Sequence, residues 1–179
     1  MPKGRAAGSG SKGLCVKASV SEELKFAADC MLGKLARWLR ILGYDTTYFS
    51  YIADDDLVEL CQAENRILLT SDRPLAERTN HIQRFFFTEK ALESQLAQLV
   101  REAGLDLERE TFTRCLLCNA PIEHVSPSQM ASVVPPHVLK THDKFHRCPD
   151  CDRVYWSGSH YERMTNKLRA LRNEIEALS

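Results

Sequence analysis

The chain has 179 residues, 44% hydrophobic and 27% charged, with 24 Lys and Arg against 24 Asp and Glu. That length and apolar share suit one ordinary domain plus a small module, and exclude wholesale disorder and collagen-like or mucin-like chains. A net charge of zero excludes a histone-like coat on nucleic acid, but not a local basic patch.

Residues 1–23 are rich in Gly, Ser, Ala and Lys, carry Lys3, Arg5, Lys12 and Lys17, and lack the apolar centre of an export signal. They are expected to form a flexible tail. Residues 25–112 hold 11 basic and 15 acidic residues, so the neutral total hides an acidic central block. Within it, 25–28 (KFAA) predicts a strand ending on Asp29, and 31–42 a helix with Met31, Leu32, Leu35, Trp38, Leu39 and Leu42 on its apolar face. Gly43 stops that helix. The β-branched and aromatic run 44–50 predicts a second strand, and Asp54 is expected to cap a helix over 55–64. A buried strand follows at 67–70 (ILLT), then a short helix at 74–79, a strand at 84–87 and an amphipathic helix at 89–102 closed by Gly104. This alternation predicts an α/β domain over 24–112, with a mostly parallel sheet covered by helices on both faces. No run of about 18 apolar residues occurs, so no membrane span is expected.

In such a sheet, ligands sit beyond the carboxyl ends of the strands. Asp29 and Asp72 each follow a strand directly, and Asp54 lies just beyond a third. Three carboxylates on one edge repel one another unless they share a cation, and hard oxygen ligands suit Mg²⁺ or Mn²⁺. Such a metal lowers the pKa of a bound water and polarises a phosphodiester. Asp is also the usual cap at strand ends and helix starts, and both readings stand at this point. Lys34, Arg37 and Arg40 form a cationic stripe on the helix after Asp29. Lys34 and Arg37 are placed either to hold a substrate phosphate or on a solvated face, and Arg40 is expected on the solvated face.

From residue 113 the pattern changes, and 113–179 reads as a second module that ends in a helix at about 161–178. Cys115-Leu-Leu-Cys118 and Cys148-Pro-Asp-Cys151 are two CxxC knuckles with 29 residues between them. Four thiolates in this spacing predict a closed, tetrahedral, structural Zn²⁺ site, which supplies much of the folding free energy of so small a module. His124, His137, His142 and His146 are then not needed as ligands. Cys61 falls on an apolar helix stripe and is expected in the core. Tyr155, Trp156, His160 and Tyr161 can stack on bases or pack the ribbon, the latter being favoured. Seven cysteines without an export signal indicate a reducing, cytoplasmic location.

The runs FAADCMLGKLARWLRILGYDT (26–46), DDDLVELC (54–61), RILLTSD (66–72), RCLLCNAPI (114–122) and FHRCPDCDRVYWSGSHYERM (145–164) together resemble the Mut-seven C-terminal RNase domain family. The resemblance implies a PIN-like nuclease domain joined to a zinc ribbon, and a metal-dependent ribonuclease. It assigns Asp29, Asp54 and Asp72 as the catalytic acids. Ser71 stands where the family usually has Arg, and no fourth acidic residue is identified. The expected activity is hydrolysis of RNA phosphodiester bonds with Mg²⁺ or Mn²⁺. The alternative is a non-catalytic RNA- or ribosome-binding adaptor that reads through its ribbon. RNA is the expected partner in either case, and the sequence names no protein partner.

Overall fold

The computed structural model describes residues 23–177, so the expected tail lies outside the described residues except for Glu23. Four short strands, β1 (Lys25–Ala28), β2 (Asp45–Tyr48), β3 (Ile67–Thr70) and β4 (Arg84–Phe86), form one sheet in the order β2-β1-β3-β4. All neighbours are parallel, with Ala28 opposite both Tyr48 and Leu69, and Leu69 opposite Phe85. Period-two alternation splits the side chains between two faces. Phe26, Ala28, Ile67, Leu69 and Phe85 enter the main core. Ala27 and Leu68 point the other way, into a smaller core.

Helix α1 (Gly33–Ile41) and helix α4 (Leu92–Ala103) cover the first face with Leu35, Leu39, Leu96 and Leu99. Helix α2 (Asp54–Ala63) and helix α3 (Arg73–Arg78) cover the second through Leu57, Cys61 and Leu75. Cys61 is thus a core residue as expected, and burial raises its thiol pKa to about 11. The α/β expectation therefore holds, with differences at element ends. Asp29 accepts the Met31 N–H at 2.6 Å and tightens residues Cys30–Leu32 into a 3₁₀ turn. The α-helix begins only afterwards, and Met31, expected on the apolar face, is 67% exposed. Asp54 is not a cap. Ala53 occupies that position, and Asp54 is the first helical residue, its carboxylate drawn across to Arg78 at 2.8 Å.

Residues 113–158 contain more regular structure than periodicity indicated. Strands β5 (Glu123–Val125), β6 (Phe145–Arg147) and β7 (Val154–Trp156) form an antiparallel sheet, with helix α5 (Pro136–Thr141) between the first two. Its apolar core is small, built on Met130, Val134, Val138 and Phe145. Helix α6 (Ser159–Ala177) leaves this module and packs on α4, delivering Leu168, Leu171 and Ile175 to the main core.

The two parts are joined at the sheet's edge strand, β2. The Thr46 N–H donates to Asn119 Oδ1 at 2.9 Å, while Asn119 Nδ2 donates to Asp45 at 2.7 Å. An edge strand otherwise offers free N–H groups to other chains, and here a side chain from the ribbon takes one. Asp45 also receives Arg66 at 2.6 Å. Arg40 corrects its expected place on a solvated face. It is 5% exposed and donates to the carbonyls of Thr46 (2.8 Å), Leu116 (3.2 Å) and Leu117 (3.0 Å). Gly43, at φ 81°, permits a close approach of the segment leading into the ribbon, since a Cβ there would lie 2.6 Å from the Glu110 carbonyl oxygen.

Burial works against ionisation of Asp45, but the donors Arg66 and Asn119 prevail and hold its pKa below the ordinary carboxylate value. A carboxyl lowered by folding contributes stability that is complete above its unfolded pKa and is lost as pH falls through the lowered folded value. Asp45→Asn is expected to cost about 1–2 kcal/mol at neutral pH. In urea melts across pH, its deficit relative to wild type should shrink as pH falls through that lowered value.

Candidate functional site

Two groups of side chains are candidates for chemistry. The first is the cysteine set, in which Cys115, Cys118, Cys148 and Cys151 bring all four sulfurs within 4.8 Å of one another. Individual Sγ–Sγ separations are 3.5 Å (Cys115 to Cys151), 3.3 Å (Cys118 to Cys148) and 3.6 Å (Cys118 to Cys151). A tetrahedral zinc with bonds of about 2.3 Å requires edges of roughly 3.8 Å, so the set fits that ion with little adjustment.

The knuckles are the same local structure twice. The N–H of Cys115 donates to the Ala120 carbonyl at 2.8 Å, and that of Cys148 to the Arg153 carbonyl at 2.9 Å. The residue after each second cysteine, Asn119 (φ 76°) or Asp152 (φ 59°), is left-handed, a conformation these two residue types tolerate. Burial opposes ionisation of Cys115, yet the N–H groups of Cys118 and Leu117 and the Tyr155 hydroxyl lower its pKa to about 6. Burial and the neighbouring thiols push Cys118 the other way. Four crowded thiols thus compete for ionisation, and a bound divalent cation removes that competition.

The second cluster lies at the carboxyl edge of the parallel sheet. Asp29, 5% exposed, is held on both oxygens: Oδ1 accepts the Met31 N–H, and Oδ2 accepts the Thr70 hydroxyl (2.5 Å) and the Ser71 N–H (3.2 Å). The Thr70 oxygen in turn accepts the Asp72 N–H at 2.9 Å. Asp72 Oδ1 caps α3 by accepting the Leu75 N–H, so its cap role is realised. The Asp29 carboxylate and the Asp72 backbone N–H are therefore joined through one hydroxyl. Asp54 stands apart at the start of α2, where Arg78 bridges it and Asp55 at 2.8 and 2.7 Å. Among the described residues, the cysteines are the one set of three or more His, Cys, Asp or Glu close enough to hold an ion.

Lys34 and Arg37 are both exposed on α1, and Arg37 lies 3.5 Å from His160 Nε2 at the start of α6. The other ribbon aromatics pack, as favoured. Tyr155 Oη lies 3.1 Å from Cys115 Sγ and accepts the Leu116 N–H, Trp156 joins the small ribbon core, and Tyr161 stacks on Phe112 with centroids 4.6 Å apart.

Three residues add to what sequence reasoning identified. Thr70 orients Asp29, a role hinted at by its place two residues before Asp72. Arg78 neutralises Asp54 from another helix, for which local sequence carries no signal. Glu89 is exposed three residues beyond β4, at the same edge. A pocket lined by Glu23, Tyr44, Arg109 and Arg114 opens near the amino ends of β1 and β2, away from these carboxylates.

A parallel-sheet domain with acidic residues at its carboxyl edge, sealed to a ribbon whose four cysteines could hold a metal ion, defines the α/β architecture. The chain belongs to the Mut7-C RNAse domain family, whose model matches residues 24–168 and so spans both parts. No curated protein sequence and no solved structure matches it.

Replacing Arg40 by Met leaves two knuckle carbonyls and the Thr46 carbonyl without their donor. Arg40→Met is expected to lower stability by about 2–4 kcal/mol, and zinc should leave the variant faster under chelator competition than it leaves wild type.

Proposed function

We propose that this protein is a metal-dependent ribonuclease with a PIN-like catalytic domain, hydrolysing RNA phosphodiester bonds at Asp29, Asp54 and Asp72. The observation that carries the reading is the hydrogen-bonded run Asp29–Thr70–Asp72 at the carboxyl edge of a parallel sheet, in a chain of the Mut7-C RNAse domain family. The hydroxyl and two backbone donors fix Asp29 in one orientation before substrate arrives, which is the preorganisation a reactive carboxylate needs.

The donor chemistry fits Mg²⁺ or Mn²⁺, since all three acids offer hard oxygens, and Arg78 already marks Asp54 as a place where positive charge is stabilised. Asp29 and Asp72 would hold the ion, with Asp54 joining when it exchanges Arg78 for the metal. Bound there, the ion would supply a nucleophilic water at neutral pH and charge stabilisation on the phosphate. The chain's own residues do the rest: Thr70 keeps Asp29 aimed, Asp72 anchors α3, and Lys34 and Arg37 hold the RNA backbone. A Zn²⁺ on Cys115, Cys118, Cys148 and Cys151 is structural in this reading, because four thiolates leave no open position. We place the protein in the cytoplasm, where such thiols stay reduced.

One observation favours the adaptor alternative. Arg78 occupies Asp54, and the three aspartates do not form an ion-sharing group. The two readings part in a cleavage assay on single-stranded RNA with Mn²⁺. Asp29→Asn and Asp72→Asn are expected to lower the rate on the order of 10²-fold or more, and Thr70→Val by about 10–100-fold. RNA retention with no turnover in wild type would favour the adaptor.

A further inference from the structure

Five large hydrophobic side chains are exposed among the described residues, and three of them, Met31 (67%), Phe49 (43%) and Tyr51 (88%), follow the carboxyl ends of two adjacent strands. Ala28 and Tyr48 are register partners at those ends. Met31 lies three residues beyond Ala28, and Tyr51 three beyond Tyr48, so each Cα is within about 11 Å of its strand end. Phe49 is the next residue after Tyr48, and Asp29 the next after Ala28. Tyr48 fills the gap between the two exits. Its hydroxyl donates to the Cys30 carbonyl at 3.2 Å, and its ring lies so close to Gly33 that a Cβ there would meet Oη at 2.7 Å.

Scattered exposed apolar residues are ordinary on a protein surface, whereas three that follow two adjacent strand ends beside a candidate reaction centre are not. The charges next to them narrow the ligand. Lys34 and Arg37 are exposed on the helix that follows Met31, and neither forms an ion pair with a carboxylate among the described residues. Exposed aromatic side chains near cations that have no carboxylate partner among the described residues complement a polyanion whose bases are free to stack. Duplex RNA keeps its base faces covered by its own stacking, so the complement is a single strand.

We propose that Phe49 and Tyr51, with Met31 beside them, form a stacking platform for unpaired bases of single-stranded RNA, next to a phosphate grip made by Lys34 and Arg37. The platform rests on the ribonuclease reading for its position beside Asp29, but its binding is measurable without turnover. It makes the site selective for unpaired RNA and sets the register in which the strand crosses Asp29.

The test is fluorescence anisotropy with labelled oligouridine and with an RNA duplex of equal length, on the zinc-loaded full chain without added Mg²⁺ or Mn²⁺. Tyr51→Ala and the double variant Phe49→Ser/Tyr51→Ala should bind the single strand about tenfold or more weakly, with unchanged melting temperatures. Tyr51→Trp should bind it as wild type does, and duplex binding should be weak and alike in all variants. Wild-type affinity for the single strand in the double variant would overturn the proposal. So would a wild-type dimer that the double variant converts to monomer without loss of RNA affinity, since the face would then join two copies. A parallel Mn²⁺ cleavage assay separates the two claims. Loss of binding in the variants with no cleavage by wild type sinks the ribonuclease reading and leaves the platform, whereas cleavage with unchanged variant binding does the reverse.

Discussion

The buried guanidinium of Arg40 is the contact on which the rest of the molecule is organised. It sits on the helix that carries Lys34 and Arg37, and it donates to one carbonyl of the sheet's edge strand and to two carbonyls inside the first cysteine knuckle. Burial lowers its pKa, and the groups that act to raise it again are led by Cys115 and Cys118. A buried cation is costly to fold around, and the knuckle thiols, when ionised, and Asp45 carry negative charge that offsets it. Helix, edge strand and knuckle therefore become ordered together. The small ribbon core gains a wall it could not build alone.

The same principle, one polar group serving two elements, recurs at the carboxyl edge. Thr70 donates to Asp29 and accepts from Asp72, so a single hydroxyl fixes the relation between strands β1 and β3 and the start of α3. Arg78 at the other end of α3 reaches Asp54 and Asp55 on α2. The short helix α3 is thereby tied at one end to Asp29 and at the other to Asp54. Exchange of Arg78 for a metal at Asp54 would free that second end, which makes α3 the element expected to shift when the site fills.

Much of this was readable from residue order. Continuous apolar runs such as 67–70 indicated buried parallel strands, and the two CxxC pairs indicated the thiol cluster. The failures have physical causes. Helical periodicity assigns a charged residue to solvent, so it misplaced Arg40, two of whose three acceptors lie 76 and 77 residues away. The hydrogen bond that the Asp29 carboxylate accepts from the Met31 N–H replaced the expected first helical turn with a 3₁₀ turn and turned Met31 outward. Cap preference chose Asp54, but an ion pair across two helices gave that carboxylate another partner. The three ribbon strands are each three residues long, too short for any periodicity to show. The last helix was readable as a helix, but its docking on α4 depends on apolar contacts remote in sequence.

The central claim is that Asp29, Asp72 and Asp54 share a divalent cation. Diffraction from crystals soaked in Mn²⁺, with an anomalous difference map at the manganese edge, addresses it directly. The account predicts a peak within bonding distance of Asp29 and Asp72 carboxylate oxygens, with Asp54 turned toward it and Arg78 displaced. A map with no peak at this edge, and Arg78 still paired with Asp54 at saturating Mn²⁺, would contradict it.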